Sequence, residues 1–142
     1  DVLQMIQQTN CDMVMSGRAL AARPWMVWQL AEDLGMKTIN TQEKNGVPVK
    51  APRGAIQEAI EYGNSLLKYM DLLQIYYGAF SEDLQMRKLR FHIKTTSVWL
   101  NFGHALYALT TQVQTVNEAK MVIQEFFNKH QLEMYARTDL RE

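Results

Sequence analysis

The chain has 142 residues, of which 47% are hydrophobic and 21% are charged, and its 15 basic and 15 acidic residues leave no net charge. Such values are ordinary for a globular protein, and the neutral balance excludes a chain that binds polyanions over its whole surface, so any basic site has to be local. The single cysteine excludes an internal disulfide and a multi-cysteine zinc site, and no run of about eighteen apolar residues predicts a membrane-spanning helix.

The first 35 residues predict one strand between two helical segments. Residues 2–8 have the apolar spacing of a short helix, and residues 13–15, Met-Val-Met, predict a short buried strand that ends at Gly17. A helix is predicted over 24–34 because proline suits a first helical turn. This helix is apolar on nearly every side, so we expect it to be buried on several sides. The first residue is Asp and the first segment is already amphipathic, which favours a chain that begins inside a larger protein.

Residues 36–54 have a different character. They contain the Asn45-Gly46 pair, Pro48, Pro52 and scattered lysines, which is typical of a linker. We therefore predict a domain boundary here, with a first unit over 1–35 and a helical unit over 55–130. The tail, 131–142, is polar and is expected to fray.

Four helices are predicted between 55 and 130, where apolar residues recur at helical spacing. The first runs from Ile56 to Tyr77 and ends at Gly78. The expected N-caps of the other three are Ser81, Asn101 and Thr115, the last in a capping box with Glu118. The third helix is expected to turn four apolar residues inward: Phe102, Ala105, Leu106 and Leu109. The short connections predict an antiparallel four-helix bundle, so the fold class is mainly α.

Two segments carry candidate chemistry. A strand that ends at Gly17 and opens a helical turn presents free N–H groups that can bind phosphate, with Arg18 beside them, although such turns more often bind nothing. The second segment, 86–94, has four basic residues and no acid. Helical spacing puts Arg87, Arg90 and Lys94 on one stripe between two apolar sides, one of which includes Phe91. A solvated face is the commoner fate of such a stripe, but the absence of acids favours phosphate contacts.

Nothing in the sequence indicates a catalytic or metal site. The three histidines, His92, His104 and His130, lack the spacing of metal ligands. Cys11 stands just before the predicted strand, where a free cysteine is usually a small hydrophobic residue.

The two segments together resemble the tRNA-dihydrouridine synthases. Residues 9–26, TNCDMVMSGRALAARPWM, are similar to the last strand and phosphate turn of that family, T-G-C/A-D-G-V-M-I-G-R-G-A-L-x-x-P-W. Residues 76–94, YYGAFSEDLQMRKLRFHIK, are similar to its later segment, Y-G-x(n)-M-R-K-H-x-x-W-Y-x-K. Their order and spacing also fit, so the resemblance covers most of the chain.

The resemblance implies a fold and an activity. In that family a flavin-binding (β/α)₈ barrel precedes a helical domain that holds tRNA, so residues 1–35 would be the last β/α unit of a barrel whose other strands lie upstream. The whole enzyme would reduce uridine in tRNA with FMN and NADPH, using a cysteine loop that this chain lacks. Gly17 and Arg18 would hold the FMN phosphate. Arg87, Lys88, Arg90 and Lys94 would face the tRNA of a cytoplasmic, monomeric enzyme that needs neither metal nor membrane.

The chain also departs from the family pattern. Met13 and Ala19 stand where the family has glycines. Leu89, Phe91 and His92 replace the usual His, Trp and Tyr, and Gly103-His104 stand where arginines are common. The alternative hypothesis is a non-enzymatic helical module that binds nucleic acid or a protein partner.

Overall fold

Helices make up most of the chain. The computed structural model describes residues 2–36, 43–44 and 47–135, and the side chains at 43–44 and 47–48 are outside this description. The helices in this part of the chain are α1 (Val2–Thr9), α2 (Arg18–Ala22), α3 (Met26–Asp33), α4 (Ala55–Tyr77), α5 (Glu82–Thr96), α6 (Gly103–Thr111) and α7 (Val116–Lys129). Two antiparallel two-residue strands, β1 (Glu43–Lys44) and β2 (Val47–Pro48), lie in the predicted linker. The predicted mainly α class is therefore confirmed.

Helix α4 follows its sequence pattern closely. Its apolar residues at spacings of three and four form one buried face, with Ala59, Tyr62, Leu66, Met70 and Leu73 all buried. The helix ends at Gly78, as predicted. A local periodic pattern sufficed here because one continuous face contacts one continuous core.

The predicted caps of α5 and α7 are confirmed. The Ser81 hydroxyl accepts a hydrogen bond from the Leu84 N–H, and Thr115 and Glu118 form a complete capping box. The backbone N–H groups of Gln114 and Thr115 donate to the Glu118 carboxylate and hold its pKa below the ordinary value. These reciprocal bonds fix where α7 begins.

The predicted Asn101 cap of α6 is wrong. The residue before α6 is Phe102, which adopts a left-handed backbone with φ of 57°. The Asn101 side-chain oxygen instead accepts a hydrogen bond from the Glu133 N–H at 2.8 Å. The backbone N–H of Asn101 donates to the Glu133 carbonyl at 2.9 Å. The tertiary contact with the segment after α7 therefore outweighs the local capping preference.

Helices α4 to α7 surround a shared hydrophobic core. Helix α4 packs against α5 and α7, and α6 packs against α5 and α7. The fully buried side chains include Met86, Leu89, Ile93, Leu106 and Ile123. Within this core the Tyr62 hydroxyl and the Thr96 hydroxyl share a hydrogen bond of 2.7 Å, and burial raises the pKa of Tyr62 well above its ordinary value.

The segment before the linker is fastened to the helical unit through Glu58 of α4. The Glu58 carboxylate accepts hydrogen bonds from Arg23 Nε at 2.5 Å, Trp25 Nε1 at 3.1 Å and Gln29 Nε2 at 3.3 Å. Helix α2 also packs against α5, and Ala22 joins the hydrophobic core. Contacts therefore cross the predicted domain boundary, and the boundary itself stays a prediction.

Two expectations for the first 35 residues are wrong. Residues 13–15 form no strand, and Met13 and Met15 are 87% and 97% exposed. A strand needs a neighbour to pair with, and the described chain brings none to these residues. Helix α3 contains no buried residue, and both Val27 and Leu34 are exposed. The apolar side chains around this helix are therefore packed less than the sequence pattern predicts.

The first residues of the predicted tail are packed rather than frayed. Leu132 and Met134 are buried, and Met134 N–H donates to the Ala55 carbonyl at 2.9 Å. Tyr135 N–H donates to the Trp99 carbonyl at 2.8 Å. The remaining tail, 136–142, and the Asn45-Gly46 pair of the predicted linker lie outside the described residues.

Candidate nucleic-acid interface

The predicted phosphate turn lies open on the surface. Gly17 immediately precedes α2, and Arg18 is the first residue of that helix; both are exposed. The first N–H groups of a helix have no partner within it, so an anion can reach them. A side chain at Gly17 would meet no atom within 4 Å, so no cradle closes around this turn. These residues fit one phosphate group and offer nothing that contacts a flavin ring.

The predicted cationic stripe on α5 is made of two cations rather than three. Arg87 and Lys94 lie seven residues apart on the exposed face of the helix. The Arg87 guanidinium forms an ion pair of 3.1 Å with Asp83, and both side chains are largely exposed. Pairs of this kind contribute little and are screened by salt, so Arg87 remains able to exchange Asp83 for a phosphate.

The structure turns Arg90 away from this face. Its Nε donates to the Thr110 carbonyl at 3.2 Å, and Nη2 donates to the Val113 carbonyl at 2.7 Å. The side chain is half-buried and pairs with one carbonyl in the last turn of α6, where the helix leaves its carbonyls unpaired, and with one two residues beyond the helix. Arg90 is thus a structural residue at the α5–α6 contact, and its predicted place on the exposed stripe is wrong.

Two further residues of the segment also face partners within the chain. Lys88 places its ammonium 4.5 Å from the centre of the Tyr77 ring. The His92 ring is stacked on Tyr69 with 4.3 Å between centroids. Burial lowers the pKa of His92, so this ring is neutral near pH 7 and adds no charge to the stripe. The exposed cations of α5 are therefore Arg87, in its exposed pair with Asp83, and Lys94.

Exposed aromatic side chains accompany these cations. Phe91 is 70% exposed and lies between Arg87 and Lys94 on the helix. Phe102, predicted to turn inward, is 57% exposed. Phe91 stands four residues after Arg87 and three before Lys94. Residues at these spacings are neighbours on a helix surface, so the exposed position of Phe91 could have been predicted from the sequence. No local signal identifies Phe102, whose position depends on its left-handed backbone.

A groove of about 410 Å³ adjoins this face. Its lining includes Lys94 from α5, Val98, Phe102, and His104 and Tyr107 from α6, and no carboxylate. A second groove of about 480 Å³ lies between α4 and α7, and its lining residues carry no formal charge. The first groove therefore has the chemistry that suits an anionic ligand, and the second does not.

The described residues contain no group of three or more His, Cys, Asp or Glu side chains that could hold a metal ion. Cys11 is a free, half-exposed thiol. None of the helices in the described part of the chain combines the length and the hydrophobicity needed to cross a lipid bilayer. Comparison of the chain with protein-family models, curated proteins and solved structures finds no match.

Proposed function

We propose that this chain is the C-terminal part of a flavin-dependent tRNA-dihydrouridine synthase. The two segments of resemblance, 9–26 and 76–94, motivate the proposal. On this proposal residues 1–35 are the end of a (β/α)₈ barrel, and α4 to α7 are an antiparallel four-helix bundle that binds tRNA. The enzyme is a cytoplasmic monomer.

The observation that carries the proposal is the contrast in burial between the two parts of the chain. Helices α1 and α3 contain no buried residue, although both have apolar side chains. Helices α4, α5, α6 and α7 each bury three or more residues. The helical unit thus supplies most of the core, to which the first part adds Ala22 and Trp25. The first part also presents apolar surface, at Met13, Met15 and Val27, that a neighbouring barrel would cover.

The cofactor assignment rests on the turn before α2. The N–H groups of Gly17 and Arg18 would bind the phosphate of FMN, and the guanidinium of Arg18 would add positive charge there. When bound there, FMN would supply the redox chemistry, as the carrier of hydride between NADPH and the uracil ring. The chain contributes only the phosphate end of such a site, because the described residues beside Gly17 leave that turn open.

The 142-residue chain is therefore expected to form no dihydrouridine in tRNA and to bind free FMN poorly. The protein extended by the preceding coding sequence is expected to be yellow and to form dihydrouridine with NADPH. Both proteins should be assayed on the same unmodified tRNA pool, with visible absorption as the readout for flavin. An extended protein that is colourless and inactive while the short chain still binds tRNA would support the non-enzymatic module instead.

Salt dependence tests the tRNA assignment of α5. Each phosphate contact releases a counterion, so the double replacement Arg87→Gln, Lys94→Gln should flatten the slope of log affinity against log salt by about two units, or less for single strands. The double variant should keep its stability because both side chains are exposed.

Two matched variants control this measurement. Lys120→Gln removes a cation that is paired with Asp71 on another face, at 2.7 Å, and should leave the slope unchanged. Arg90→Gln should lower the free energy of unfolding by about 1–3 kcal/mol, because two carbonyls lose their donor, and should also leave the slope unchanged. An unaltered slope in the Arg87, Lys94 double variant would remove this face from the tRNA site.

A further inference from the structure

Three neighbouring aromatic rings lead from the core to the groove that Lys94 also lines. The ring centroids of Phe126 and His130 are 4.9 Å apart with the planes tilted by 51°, and those of His130 and Phe102 are 6.2 Å apart with 29° between the planes. Phe126 is buried in the core, whereas Phe102 is 57% exposed. The outermost ring, Phe102, therefore packs on His130 and leaves more than half of its surface exposed to a ligand.

The backbone holds Phe102 in this position. Its φ of 57° is uncommon for a bulky residue. The neighbouring Asn101 exchanges two hydrogen bonds with Glu133, and the Phe102 carbonyl accepts from Leu106 N–H at 3.1 Å. Such a conformation persists only where the surroundings fix it, and residues of this kind concentrate at binding sites. The backbone from which the exposed ring projects is consequently held by its neighbours.

The chemistry beside the ring matches a nucleotide. Phe102 lines the groove of about 410 Å³ together with Lys94, His104 and Tyr107, a size within the usual range for small-molecule sites. Proteins that bind single-stranded nucleic acid combine aromatic rings, on which bases stack, with cations that contact the backbone. The lining carries a lysine and no carboxylate, so its charge complements an anionic group such as a phosphate rather than a cation.

We infer that the groove between α5 and α6 binds an unpaired nucleotide of RNA, with its base stacked on Phe102 and its phosphate beside Lys94. The inference rests on the proposed function, in which the helical unit binds tRNA, and deepens it by assigning a single-stranded element to this groove. Inside a duplex the base faces are buried in its own stack and cannot contact Phe102. The groove therefore selects a loop, a bulge or an unpaired end.

The test uses the full 142-residue chain and a fluorescently labelled single-stranded RNA of about ten nucleotides. Phe102→Asn removes the ring and keeps a residue that tolerates a positive φ. We expect this variant to unfold at the same or higher denaturant concentration and to bind the single strand about 5- to 150-fold more weakly. Its affinity for a duplex of the same length should be unchanged.

Three further variants separate the stacking role from other roles. Phe102→Tyr should keep the affinity because it keeps the ring, whereas Phe102→Leu should lose it. Phe80→Asn, at a phenylalanine that is 56% exposed and packs on Tyr77, should have no effect.

The outcomes distinguish this inference from the proposed function. Unchanged single-strand affinity in Phe102→Asn, with a salt slope that still depends on Arg87 and Lys94, would overturn the inference and leave the proposed function standing. Full affinity in Phe102→Leu would indicate a general apolar contact, such as a protein partner uses, and would also overturn it. A wild-type chain that binds neither tRNA nor the single strand would overturn both.

Discussion

Replacing Glu58 by alanine is expected to release residues 18–33 from the helical unit at a cost of about 3–5 kcal/mol in their docking. The carboxylate accepts hydrogen bonds from Arg23, Trp25 and Gln29, and the Arg23 and Glu58 side chains are only 17% and 11% exposed. Removal of the acceptor would leave a largely buried guanidinium without its counter-charge. Such a charge is more easily rehydrated by undocking than tolerated in place.

Hydrogen exchange measured by peptide mass spectrometry checks this result. Exchange should accelerate over α2 and α3 in Glu58→Ala, while α5, α6 and α7 keep their protection, because those helices bury their own core. Glu61→Ala is the matched control, since this carboxylate lies on the same helix and its hydrogen bond to Asn64 is exposed. Equal protection of α2 and α3 in the two variants would show that Glu58 does not hold the segment.

The elements that could be predicted from the sequence are those whose signals are local. Helix α4 was identifiable because its buried face repeats over many turns, and α7 because the Thr115–Glu118 capping box precedes an apolar face. Both signals act within a few residues of the chain. The core between α4 and α7 then follows from the apolar faces themselves, since each face requires a partner.

The errors occur where the outcome depends on distant residues. The sequence 13–15 has the composition of a buried strand, but strand formation depends on a partner that no local pattern specifies. Asn101 is a good N-cap by composition, yet its side chain is engaged by Glu133, which is 32 residues away. The same dependence explains why the tail after α7 is packed and not frayed.

The candidate interface was only partly predictable for the same reason. The acid-free segment identifies α5, and helical spacing correctly places Arg87 and Lys94 on an exposed face. Arg90 differs from these cations because two backbone carbonyls at and just beyond the end of α6, those of Thr110 and Val113, accept hydrogen bonds from it. Charge in the sequence thus locates the helix, and tertiary contacts decide which charges are free.

Gly103→Ala is expected to destabilise the helical unit by about 3 kcal/mol or more. A Cβ atom at this position would overlap the backbone carbonyl oxygen of Ser97. That oxygen accepts a hydrogen bond from Leu100 N–H at 3.0 Å, and Gly103 N–H itself donates to the Leu100 carbonyl at 3.1 Å. The Ser97 carbonyl and the backbone of Gly103 are both held by these hydrogen bonds and cannot rotate away from each other. Helix α6 would therefore have to move away from the turn at 97–99 and lose packing around Leu106.

Gly63→Ala is the matched comparison within the same core. A Cβ at Gly63 would lie 2.9 Å from the Phe127 ring, which is a half-buried side chain and can adjust. Alanine also favours a helix interior over glycine by about 1 kcal/mol, which offsets part of the contact. Denaturant titrations followed by circular dichroism should therefore give a much larger loss of unfolding free energy for Gly103→Ala than for Gly63→Ala. Equal losses of unfolding free energy in the two variants would mean that the backbone turn before α6 adjusts as easily as the Phe127 side chain. The backbone at Phe102 would then not be rigid.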